Sequence, residues 1–572
     1  MAQRSQAHTE EESQADLAST QVSPAVAKGL SITFLVLLAL VLCGDLAAHL
    51  LRRMETEASA GAAGSGGGSF GTVLRDAWQT AGRSLDPQVL QQFEKDLGDG
   101  SAAKQFFQPR VQNVFTEPLG FGNDKGIVGR NGWLYYQPGV ELLTGPSILD
   151  ADHLRLRTQK MANKGEKNPA PDPCPAILRF HEDCRKAGVC LVLVPVPDKA
   201  QVQPGSLTRR LEVSAPMEVP ANAGWETFLA RLREQGVEIF DPLECLPGRN
   251  AAGRPVLLPG EVHYLRQDTH WTPEFMERVA ERLAEHLKGL KTHEGRPRLP
   301  PPAIPFAATL VPRAVARLGD IVDMLKLTGD QRIFQPQTVN LRQVRDAATG
   351  ELWRSDSGAD VLLLGDSFTN VFSDGEGKQG LGWGESAGFG PHLSRCLGRP
   401  LEVLARNGSG ATRTREELAR RPDPLGGKRI IVWEFAVRDL ACENWLVVPI
   451  ASRAGPPPPI PPSQELTVSA ELITPVPAEA RQVGLYADAI VDLKFKVLAV
   501  ESGRYEPREI LVSVTTARNF KLQFAARMQA GSAYRLKLKP EAPAASKTWT
   551  HLIGALDRDL HLYWAEAVEA AP

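Results

Sequence analysis

The sequence predicts an α/β sandwich with a largely parallel sheet, preceded by a membrane anchor and followed by a small all-β domain. Three observations support this prediction. Residues 29–51 form one long apolar stretch, the middle of the chain alternates short apolar runs with helical patterns, and the chain after residue 464 alternates apolar with polar side chains. Alternation is typical of half-buried strands, and apolar runs separated by amphipathic helices are typical of parallel sheets.

The first element is the apolar stretch at residues 29–51, which follows a polar tail at residues 1–28. At ~1.5 Å per residue, a helix of this length crosses a hydrocarbon core with some tilt. The alternative is a cleaved signal peptide, but the acidic tail is long for the segment that precedes a signal sequence. We therefore expect an uncleaved anchor. The basic residues on its two sides balance, so they do not determine its orientation.

Residues 52–115 are predicted to be a linker and helical stalk, and glycine, alanine and serine make residues 61–69 a flexible tether. Residues 116–450 are predicted to form one α/β domain. Its clearest helix has apolar residues at every fourth position from Phe275 to Leu287. The predicted strands are 190–196, 237–240, 361–364, 401–404 and 430–433. In such a sheet the active site lies beyond the carboxyl ends of the strands.

A proline-rich linker at residues 451–463 separates this domain from residues 464–572. Proline runs favour extended, stiff chain. The residues after it are predicted to form a small antiparallel barrel or sandwich. As a carbohydrate-binding module, it would use exposed aromatic residues such as Tyr563 or Trp564 to stack on sugar rings; as a packing or docking module, it would bury them. The sequence leaves both alternatives open.

Composition and motifs exclude several classes of function. With 65 basic and 67 acidic residues, the net charge of -2 gives no electrostatic reason to expect nucleic-acid binding. We expect no cofactor, because the chain has no glycine-rich phosphate loop or dinucleotide fingerprint in the required context. We also expect no metal, because the seven cysteines have no zinc spacing. In an oxidising compartment, a disulfide could join Cys174 to Cys184 or to Cys190.

Two short motifs supply a nucleophile, a base and an acid. Residues 365–368, Gly-Asp-Ser-Phe, directly follow an apolar run, and residues 268–270 read Asp-Thr-His. A strand that turns sharply into a helix exposes a serine hydroxyl where backbone N–H groups can receive an oxyanion. The serine needs an imidazole to take its proton, and the imidazole needs a carboxylate to orient it. We predict Ser367 as nucleophile, His270 as base and Asp268 as the orienting acid.

An ordered series of motifs resembles the SGNH hydrolases, and in particular the AlgJ/AlgX branch of exopolysaccharide O-acetyltransferases. In this branch the Asp-x-His pair precedes the serine, as it does here, whereas ordinary SGNH esterases carry it after the serine. The similar stretches are 126–136, 194–199, 264–272, 363–368, 381–384, 405–408 and 432–435. The resemblance implies an SGNH hydrolase-like three-layer sandwich for the α/β domain, and it implies that the Ser367 N–H and Asn407 form the oxyanion hole.

The activity implied by the resemblance is O-acetyl transfer, through a serine acyl-enzyme, onto hydroxyls of an exopolysaccharide or cell-envelope glycan. The implied partners are the polysaccharide acceptor and a multi-spanning membrane O-acyltransferase that donates the acetyl group. The implied location is the inner membrane, with a single span and a periplasmic catalytic domain. Two alternatives stay open: a carbohydrate esterase of the SGNH class, and a non-catalytic glycan-binding scaffold in a polymer export complex.

Further residues near the motifs allow two interpretations each. Trp271 and Trp433 could flank a sugar acceptor, or they could be buried scaffold residues. Arg406 and Arg438 could hold a uronate or an acetyl oxygen, or each could pair with a carboxylate such as Glu434. Lys199 lies in one of the similar stretches, and its role does not follow from the sequence.

Overall fold

The computed structural model describes residues 102–570 apart from 164–165, 167, 376–380, 409, 422, 451–464, 478, 482–487, 506–507, 519–520, 541–549 and 553–561. The chain divides into two compact units, residues 1–111 and 112–572, and the description of the first is limited to residues 102–111. The predicted anchor, tether and proline-rich linker lie outside the described residues. Among the residues described, no helix has both the length and the apolar character needed to cross a membrane.

A five-stranded sheet forms the centre of the α/β domain, and all its pairings are parallel. The order across the sheet is β4-β3-β5-β1-β2. These strands are β1 (Cys190–Val196), β2 (Glu238–Ile239), β3 (Val361–Gly365), β4 (Glu402–Ala405) and β5 (Ile430–Ala436). The parallel sheet predicted from the apolar runs is therefore confirmed, with its strands close to the predicted positions.

Helices connect and cover these strands. The ones used below are α1 (Pro173–Lys186), α2 (Trp225–Glu234), α3 (Pro273–Gly289), α4 (Asp320–Leu325), α5 (Ser367–Asn370), α6 (Phe389–Leu397) and α7 (Gly410–Ala419). Other helices are Ala102–Thr116, Gln137–Thr144, Ala151–Asn163, Lys199–Val202, Pro204–Leu207 and Asp439–Cys442. Single 3₁₀ turns occur at Arg209–Leu211, Pro242–Cys245, Glu479–Arg481 and Phe524–Arg527.

The two faces of the sheet pack into separate hydrophobic cores, because successive side chains of a strand point to opposite faces. Leu363 and Val432 belong to one core, together with apolar residues of α3 and α6. Leu364 and Trp433 belong to the other, together with residues of α1 and α2. Helices on both faces make the domain a three-layer sandwich, as the family resemblance implied.

Helix α3 begins and packs as the sequence predicts. Thr272 is the N-cap, and its side-chain oxygen accepts a hydrogen bond from the Phe275 N–H at 3.3 Å; Pro273 occupies the first helical position. The apolar residues at every fourth position, Phe275 to Leu287, are all buried. Because His270 lies two residues before the cap, this docked helix also anchors the loop that carries His270.

Irregular additions surround the sandwich, and the apolar patterns did not predict them. A long antiparallel hairpin joins Ala308–Arg317 to Gln337–Asp346, with α4 in its connection. A short hairpin joins Gly126–Val128 to Leu134–Tyr136. Further short strands are Met217–Glu218, Gly248–Arg249, Pro255–Leu257, Asp374–Gly375 and Gly384–Glu385.

The C-terminal region is a closed barrel. Its main strands are β6 (Leu466–Leu472), β7 (Ala489–Ser502), β8 (Glu509–Arg518), β9 (Ala533–Lys539) and β10 (Leu562–Ala570). The ring closes through the pairs β6–β7, β7–β8, β8–β10, β10–β9 and β9–β6. Within the ring, the β8–β10 pair is parallel and the other four pairs are antiparallel. The short strand Thr550–Leu552 also pairs parallel with β7, so the predicted antiparallel arrangement is wrong at these two pairs. The short strands Lys521–Leu522 and Thr550–Leu552 extend the sheet.

The barrel buries the two aromatic residues that the sequence offered for sugar stacking. Tyr563 and Trp564 are 1% and 6% exposed, so neither ring offers a surface for sugar stacking in this structure. A buried ion pair instead joins the barrel to the α/β domain, with Arg413 of α7 donating to Asp492 of β7 at 2.6 Å. Arg420 pairs with the same carboxylate. These contacts support the packing interpretation.

Neither of the two disulfides that the sequence left possible is present. Cys174, Cys184 and Cys190 are all free, as are the other cysteines in the described part of the chain. Cys174 and Cys184 lie ten residues apart on α1, so the helical rise separates them by about 15 Å along the axis. A disulfide requires Cα atoms within about 7 Å of each other.

Candidate active site

Ser367 lies at a sharp turn beyond the carboxyl end of β3, and it is the first residue of helix α5. Asp366 caps this helix: one carboxylate oxygen accepts from the Phe368 N–H at 2.7 Å, and the other accepts from the Ala436 N–H at 3.1 Å. Gly365 makes the turn possible, since a Cβ there would lie 2.1 Å from the Thr369 hydroxyl oxygen. The turn therefore presents Ser367 at the edge of the sheet.

A buried carboxyl group lies under this turn. One oxygen of Glu434 accepts from the Asp366 N–H at 3.1 Å and from the Thr369 hydroxyl at 2.8 Å. Burial, and then the charge of Asp366, raise the pKa of Glu434 well above its usual range. The neutral acid can therefore support the turn without placing a second negative charge below Ser367.

The structure brings Ser367, His270 and Asp268 into one hydrogen-bonded chain. His270 Nε2 is 2.8 Å from the Ser367 hydroxyl oxygen, and His270 Nδ1 is 2.6 Å from an oxygen of Asp268. A carboxylate only accepts hydrogen bonds, so Nδ1 carries the proton and Nε2 of the neutral ring is the acceptor. His270 and Asp268 are each 2% exposed, whereas Ser367 is only half-buried. The chain therefore runs from the interior to an accessible hydroxyl.

Asp268 is held as an anion. Its second carboxylate oxygen accepts from the Trp383 indole N–H at 2.8 Å and from the Asp320 backbone N–H at 3.0 Å. Burial acts to raise the pKa of Asp268, but the charge of His270 and hydrogen bonds from His270 and Trp383 outweigh burial and lower the pKa to about 2. An acid that stays ionised at neutral pH can orient the imidazole and stabilise its protonated form.

Two residues that contact the Asp268–His270 segment were not predicted from the sequence. Trp383 lies in one of the stretches that carry the family resemblance, so its motif was visible even though its contact with Asp268 was not. Asp320 lies in no recognised motif, yet its carboxylate accepts from both the backbone N–H and the hydroxyl of Thr269, at 2.7 and 2.6 Å. Only the fold could reveal Asp320, because it comes from the connection of the long hairpin.

Trp271 supports the site from the protein interior. Its ring is fully buried and lies edge-to-face against Phe368, with ring centroids 5.4 Å apart. Phe368 in turn packs against the His270 ring at 4.8 Å between centroids. With no exposed surface, Trp271 does not face an acceptor in this structure, and the scaffold interpretation applies. Trp433 is likewise buried, among aromatic residues of the opposite core.

The arginine side chains are paired, but not with Glu434. Arg406 contacts Glu417 at 2.5 Å, and Arg438 contacts Asp198 at 3.4 Å. Both arginines thus pair with carboxylates, and Glu434 is instead used by the turn that carries Ser367. Whether either arginine holds a uronate or an acetyl oxygen stays a prediction.

The predicted oxyanion residue Asn407 adjoins α5. It is half-buried, and its side-chain oxygen accepts from the Asn370 amide of α5 at 2.9 Å. This contact places Asn407 beside the helix that begins with Ser367. Its role in an oxyanion hole stays a prediction.

Lys199 is a buried cation behind the site. Its ammonium donates to the backbone oxygens of Leu134 and Arg266, at 2.7 and 3.2 Å. Burial lowers the pKa of Lys199 to about 7, although the charges of Asp268 and Asp320 act to raise it. Lys199 thus joins the short hairpin at residues 126–136 to the loop that carries His270.

Within the described part of the chain, two groups of residues have a geometry that could hold a metal ion. Asp268, His270 and Asp320 form one group, and Asp439, Cys442 and Glu443 form the other. In the first group, His270 Nδ1 donates a proton to Asp268 at 2.6 Å, so this nitrogen would have to lose that proton before it could bind a metal ion. The sequence-based prediction of a metal-free site is not tested by this geometry.

The described residues also enclose a cavity of about 290 Å³. Residues of the short hairpin and of the segment around His263 line it, and none of the Ser367–His270–Asp268 chain does. His263 is buried, and burial followed by the charge of Arg278 lowers its pKa to about 4. The cavity is therefore separate from the hydrogen-bonded chain.

Comparison with known proteins identifies the family. A family model described as an SGNH hydrolase-like domain, acetyltransferase AlgX, matches residues 127–437, which is more than half of the chain. The chain belongs to this AlgX family. The matched region contains all five strands of the parallel sheet and all three residues of the hydrogen-bonded chain.

Individual relatives share limited identity with this member of the AlgX family. The probable alginate O-acetylase AlgJ of Pseudomonas aeruginosa is 29% identical over 294 residues, which cover 48% of this chain and 67% of AlgJ. The alginate biosynthesis protein AlgX of Pseudomonas putida is 23% identical over 279 residues, which cover 47% of this chain and 52% of that protein. The chain thus spans about two thirds of one relative and about half of the other.

Two solved structures are also similar. The O-acetyltransferase domain of Pseudomonas putida AlgJ has a TM-score of 0.38 and 22% identity, and the similarity covers 56% of this chain and 94% of that one. Pseudomonas aeruginosa AlgX has a TM-score of 0.40 and 15% identity, covering 73% of this chain and 90% of that one.

Proposed function

We propose that the protein is an O-acetyltransferase that forms an acetyl-serine at Ser367 and passes the acetyl group to a hydroxyl of an exopolysaccharide or cell-envelope glycan. The observation that carries this proposal is the chain of hydrogen bonds from Ser367 through His270 to Asp268, at 2.8 and 2.6 Å. Membership of the AlgX acetyltransferase family supports the acyl group, and relatives named as alginate O-acetylases support a polysaccharide acceptor.

In the first half of the reaction, the Ser367 oxygen attacks the acetyl carbonyl carbon while its proton moves to His270 Nε2. The bond from the acetyl carbon to the donor oxygen then breaks, and the leaving group takes the proton from His270. The Ser367 N–H opens the first turn of α5, where helix N–H groups have no intrahelical acceptor. It is therefore suited to receive the oxyanion, with Asn407 as the second donor in our proposal.

In the second half, a sugar hydroxyl attacks the acetyl-serine carbonyl, and its proton passes to His270 Nε2. The bond between the acetyl carbon and the Ser367 oxygen breaks, and the serine oxygen recovers the proton from His270. Water can make the same attack, and it is abundant. Transfer predominates only if the acceptor hydroxyl is held near the acetyl carbon, which is worth ~7–11 kcal/mol of barrier, while water is excluded.

The experiment that tests the proposal measures transfer against hydrolysis. The purified full-length chain, in a non-ionic detergent, is incubated with p-nitrophenyl acetate and candidate glycans, including the host's own exopolysaccharide. Mass spectrometry then compares acetylated glycan with free acetate, with Ser367→Ala as the control. We expect acetylated glycan with the wild-type chain and none with the variant. Free acetate alone with every glycan would replace the proposal with the carbohydrate-esterase alternative.

The family resemblance also supports a location outside the cytoplasmic membrane, with residues 29–51 as a single anchor. Since no cofactor site for a cytoplasmic acetyl donor is expected in the chain, we propose that a multi-spanning membrane O-acyltransferase delivers the acetyl group. Reporter fusions after Pro572 test the location. Activity of a reporter that works only in the cytoplasm, with failure of a periplasmic reporter, would contradict it.

A further inference from the structure

The loop that carries Asp268 and His270 is held by a second carboxylate, that of Asp320. Thr269, between the two motif residues, donates its backbone N–H to one oxygen of Asp320 at 2.7 Å and its hydroxyl to the other at 2.6 Å. The Asp320 N–H donates to Asp268 at 3.0 Å. Asp320 therefore contacts both Asp268 and Thr269, next to the Asp268–His270 hydrogen bond, although it lies outside the motif.

The start of α4 lies directly against the backbone of this loop. A Cβ on Gly319 would lie 2.2 Å from the Gln267 carbonyl oxygen and 2.5 Å from the Asp268 nitrogen, so no side chain fits there. The Ile321 N–H donates to the same Gln267 oxygen at 3.2 Å. Because contacts on both sides of Asp320 fix the helix to the loop, the Asp320 carboxylate has little freedom to leave Thr269.

The contact with Thr269 continues to the imidazole. The Thr269 hydroxyl donates its single proton to Asp320, so its oxygen can act only as an acceptor toward His270. This oxygen is 3.1 Å from Nδ1 and is a second, weaker acceptor for the proton that Nδ1 donates to Asp268. The nearer Asp320 oxygen is 3.8 Å from the same nitrogen. When Nε2 takes a proton, the imidazolium therefore faces Asp268 directly and Asp320 at slightly longer range, and both carboxylates favour its positive charge.

We propose that Asp320 is a positioning residue for acyl transfer: through Thr269 it fixes the orientation of His270, and its negative charge stabilises the imidazolium that forms when Ser367 loses its proton. The inference rests on the proposed function. Asp320 touches neither Ser367 nor the reacting acetyl group, so its effect is exerted through the base.

The charge of Asp320 depends on pH within the working range of such an enzyme. Burial, and then the charge of Asp268, raise the pKa of Asp320 to about 6. Other charged groups that act on this cluster are His270, Lys199 behind the loop, Asp323 on the same helix and Arg317 on the adjoining strand. Below about pH 6 the proton on Asp320 removes the charge that favours the imidazolium, so activity falls with the coupled titration of the cluster.

The test compares variants of Asp320 with matched controls in the full-length chain. Asp320→Asn keeps the shape and removes the charge, whereas Asp320→Glu keeps the charge. Asp152→Asn is the control, because the Asp152 carboxylate is exposed on the helix Ala151–Asn163, where it pairs with Arg155 at the surface. Turnover of p-nitrophenyl acetate gives kcat and KM across pH 5–9. The rate of Ser367 sulfonylation by phenylmethanesulfonyl fluoride, followed by intact mass, reports directly on the nucleophile.

For Asp320→Asn we expect kcat to fall about tenfold to a hundredfold, with KM changed by less than about twofold. The sulfonylation rate should fall by a similar factor. The acid limb of kcat/KM should move to lower pH by about one unit, since one proton-binding step of the cluster is removed. Asp320→Glu should recover most of kcat, and Asp152→Asn should behave as the wild type does.

The possible failures are distinguishable. If Ser367→Ala is inactive while Asp320→Asn keeps the wild-type kcat and pH profile, the inference about Asp320 is overturned and the proposed function stands. A fall in kcat with an unmoved acid limb would also overturn it, since only the charge moves the limb. If Ser367→Ala keeps wild-type turnover, the proposed function itself fails. Should Asp320→Asn not fold, Thr269→Val removes the hydroxyl hydrogen bond to Asp320 and keeps the backbone one. An unchanged kcat and sulfonylation rate in that variant would overturn the positioning of His270 through Thr269.

Discussion

Two buried clusters of charge in this protein differ in what they can do. One surrounds His270 and contains Asp268 and Asp320. The other joins α7 to the barrel, where Arg413 and Arg420 both pair with Asp492, whose side chain is fully buried. Both take charge out of water, which is costly unless partners compensate for the lost hydration.

The difference lies in the groups that titrate and in what they reach. In the barrel cluster, burial acts to lower the pKa of Arg413, but the charges of Asp492 and Glu416 outweigh burial and raise it, so the guanidinium keeps its proton at any physiological pH. In the other cluster an imidazole, which can gain and lose a proton, meets the half-buried hydroxyl of Ser367. A buried charge cluster can support chemistry when a titrating group reaches an accessible reactive atom; otherwise it serves packing.

The largest effect is expected from substitutions that disrupt the cluster around His270. Ser367→Ala, His270→Ala and Asp268→Asn should each reduce kcat for acetyl-ester turnover by about a thousandfold or more, since loss of a member of such a chain typically costs several powers of ten. Thermal unfolding should show that the variants remain folded. His293→Ala, which changes an exposed histidine, is the matched control. A variant with more than a tenth of wild-type kcat would contradict the assignment.

Substitutions in the cluster that joins α7 to the barrel should change stability rather than turnover. Arg413→Ala leaves Asp492 with fewer partners in a fully buried position and should lower the free energy of unfolding by about 3 kcal/mol, measured by denaturant titration. The kcat of the folded fraction should stay within about twofold. Arg535→Ala, which removes a half-exposed ion pair on the barrel surface, should change stability by less than about 1 kcal/mol. Equal losses of unfolding free energy in the two variants would show that the buried ion pair stabilises the protein no more than the surface pair does.

The turn that presents Ser367 can be strained without altering any charge. Gly365→Ala places a Cβ 2.1 Å from the Thr369 hydroxyl and 2.8 Å from Glu434, so it should destabilise the protein by about 1–3 kcal/mol and lower kcat. Gly289→Ala, at a site with no atom within 4 Å, should change neither quantity by much. Denaturation and turnover of the two variants compare the sites. A fully active, stable Gly365→Ala protein would contradict the close packing described.

The smallest effect concerns pH and stability. The pKa of Lys199 is about 7 in the folded protein and ~10.4 for an unfolded lysine, so between these values the unfolded chain binds more protons. Between pH 7 and pH 8, stability should therefore rise by about 1 kcal/mol for this group. Lys199→Met should flatten the dependence, whereas Lys496→Met, at an exposed site, should not. An unflattened profile for Lys199→Met would show that the ammonium is not destabilised by burial.

Local patterns were sufficient for the regular elements. The run from Val361 to Leu364 is a strand because continuous apolar side chains suit a sheet covered on both faces, and α3 begins at Thr272 because its cap and proline are local signals. The motifs at residues 268–270 and 365–368 were visible for the same reason, since each lies within a few residues of chain. These signals predicted Ser367, His270 and Asp268 as a group before any distance was available.

Only the tertiary structure decided what surrounds them. Asp320 and Trp383 reach Asp268 from segments 52 and 115 residues away in the chain, a distance at which no local pattern carries information. The burial of Trp271, Tyr563 and Trp564 was equally undetermined, because an aromatic ring suits a core as well as a binding face. The sequence by itself determined the strands, the helix starts and the reactive residue types. Packing between distant segments decided which carboxylates face the imidazole, because that depends on how separate elements dock.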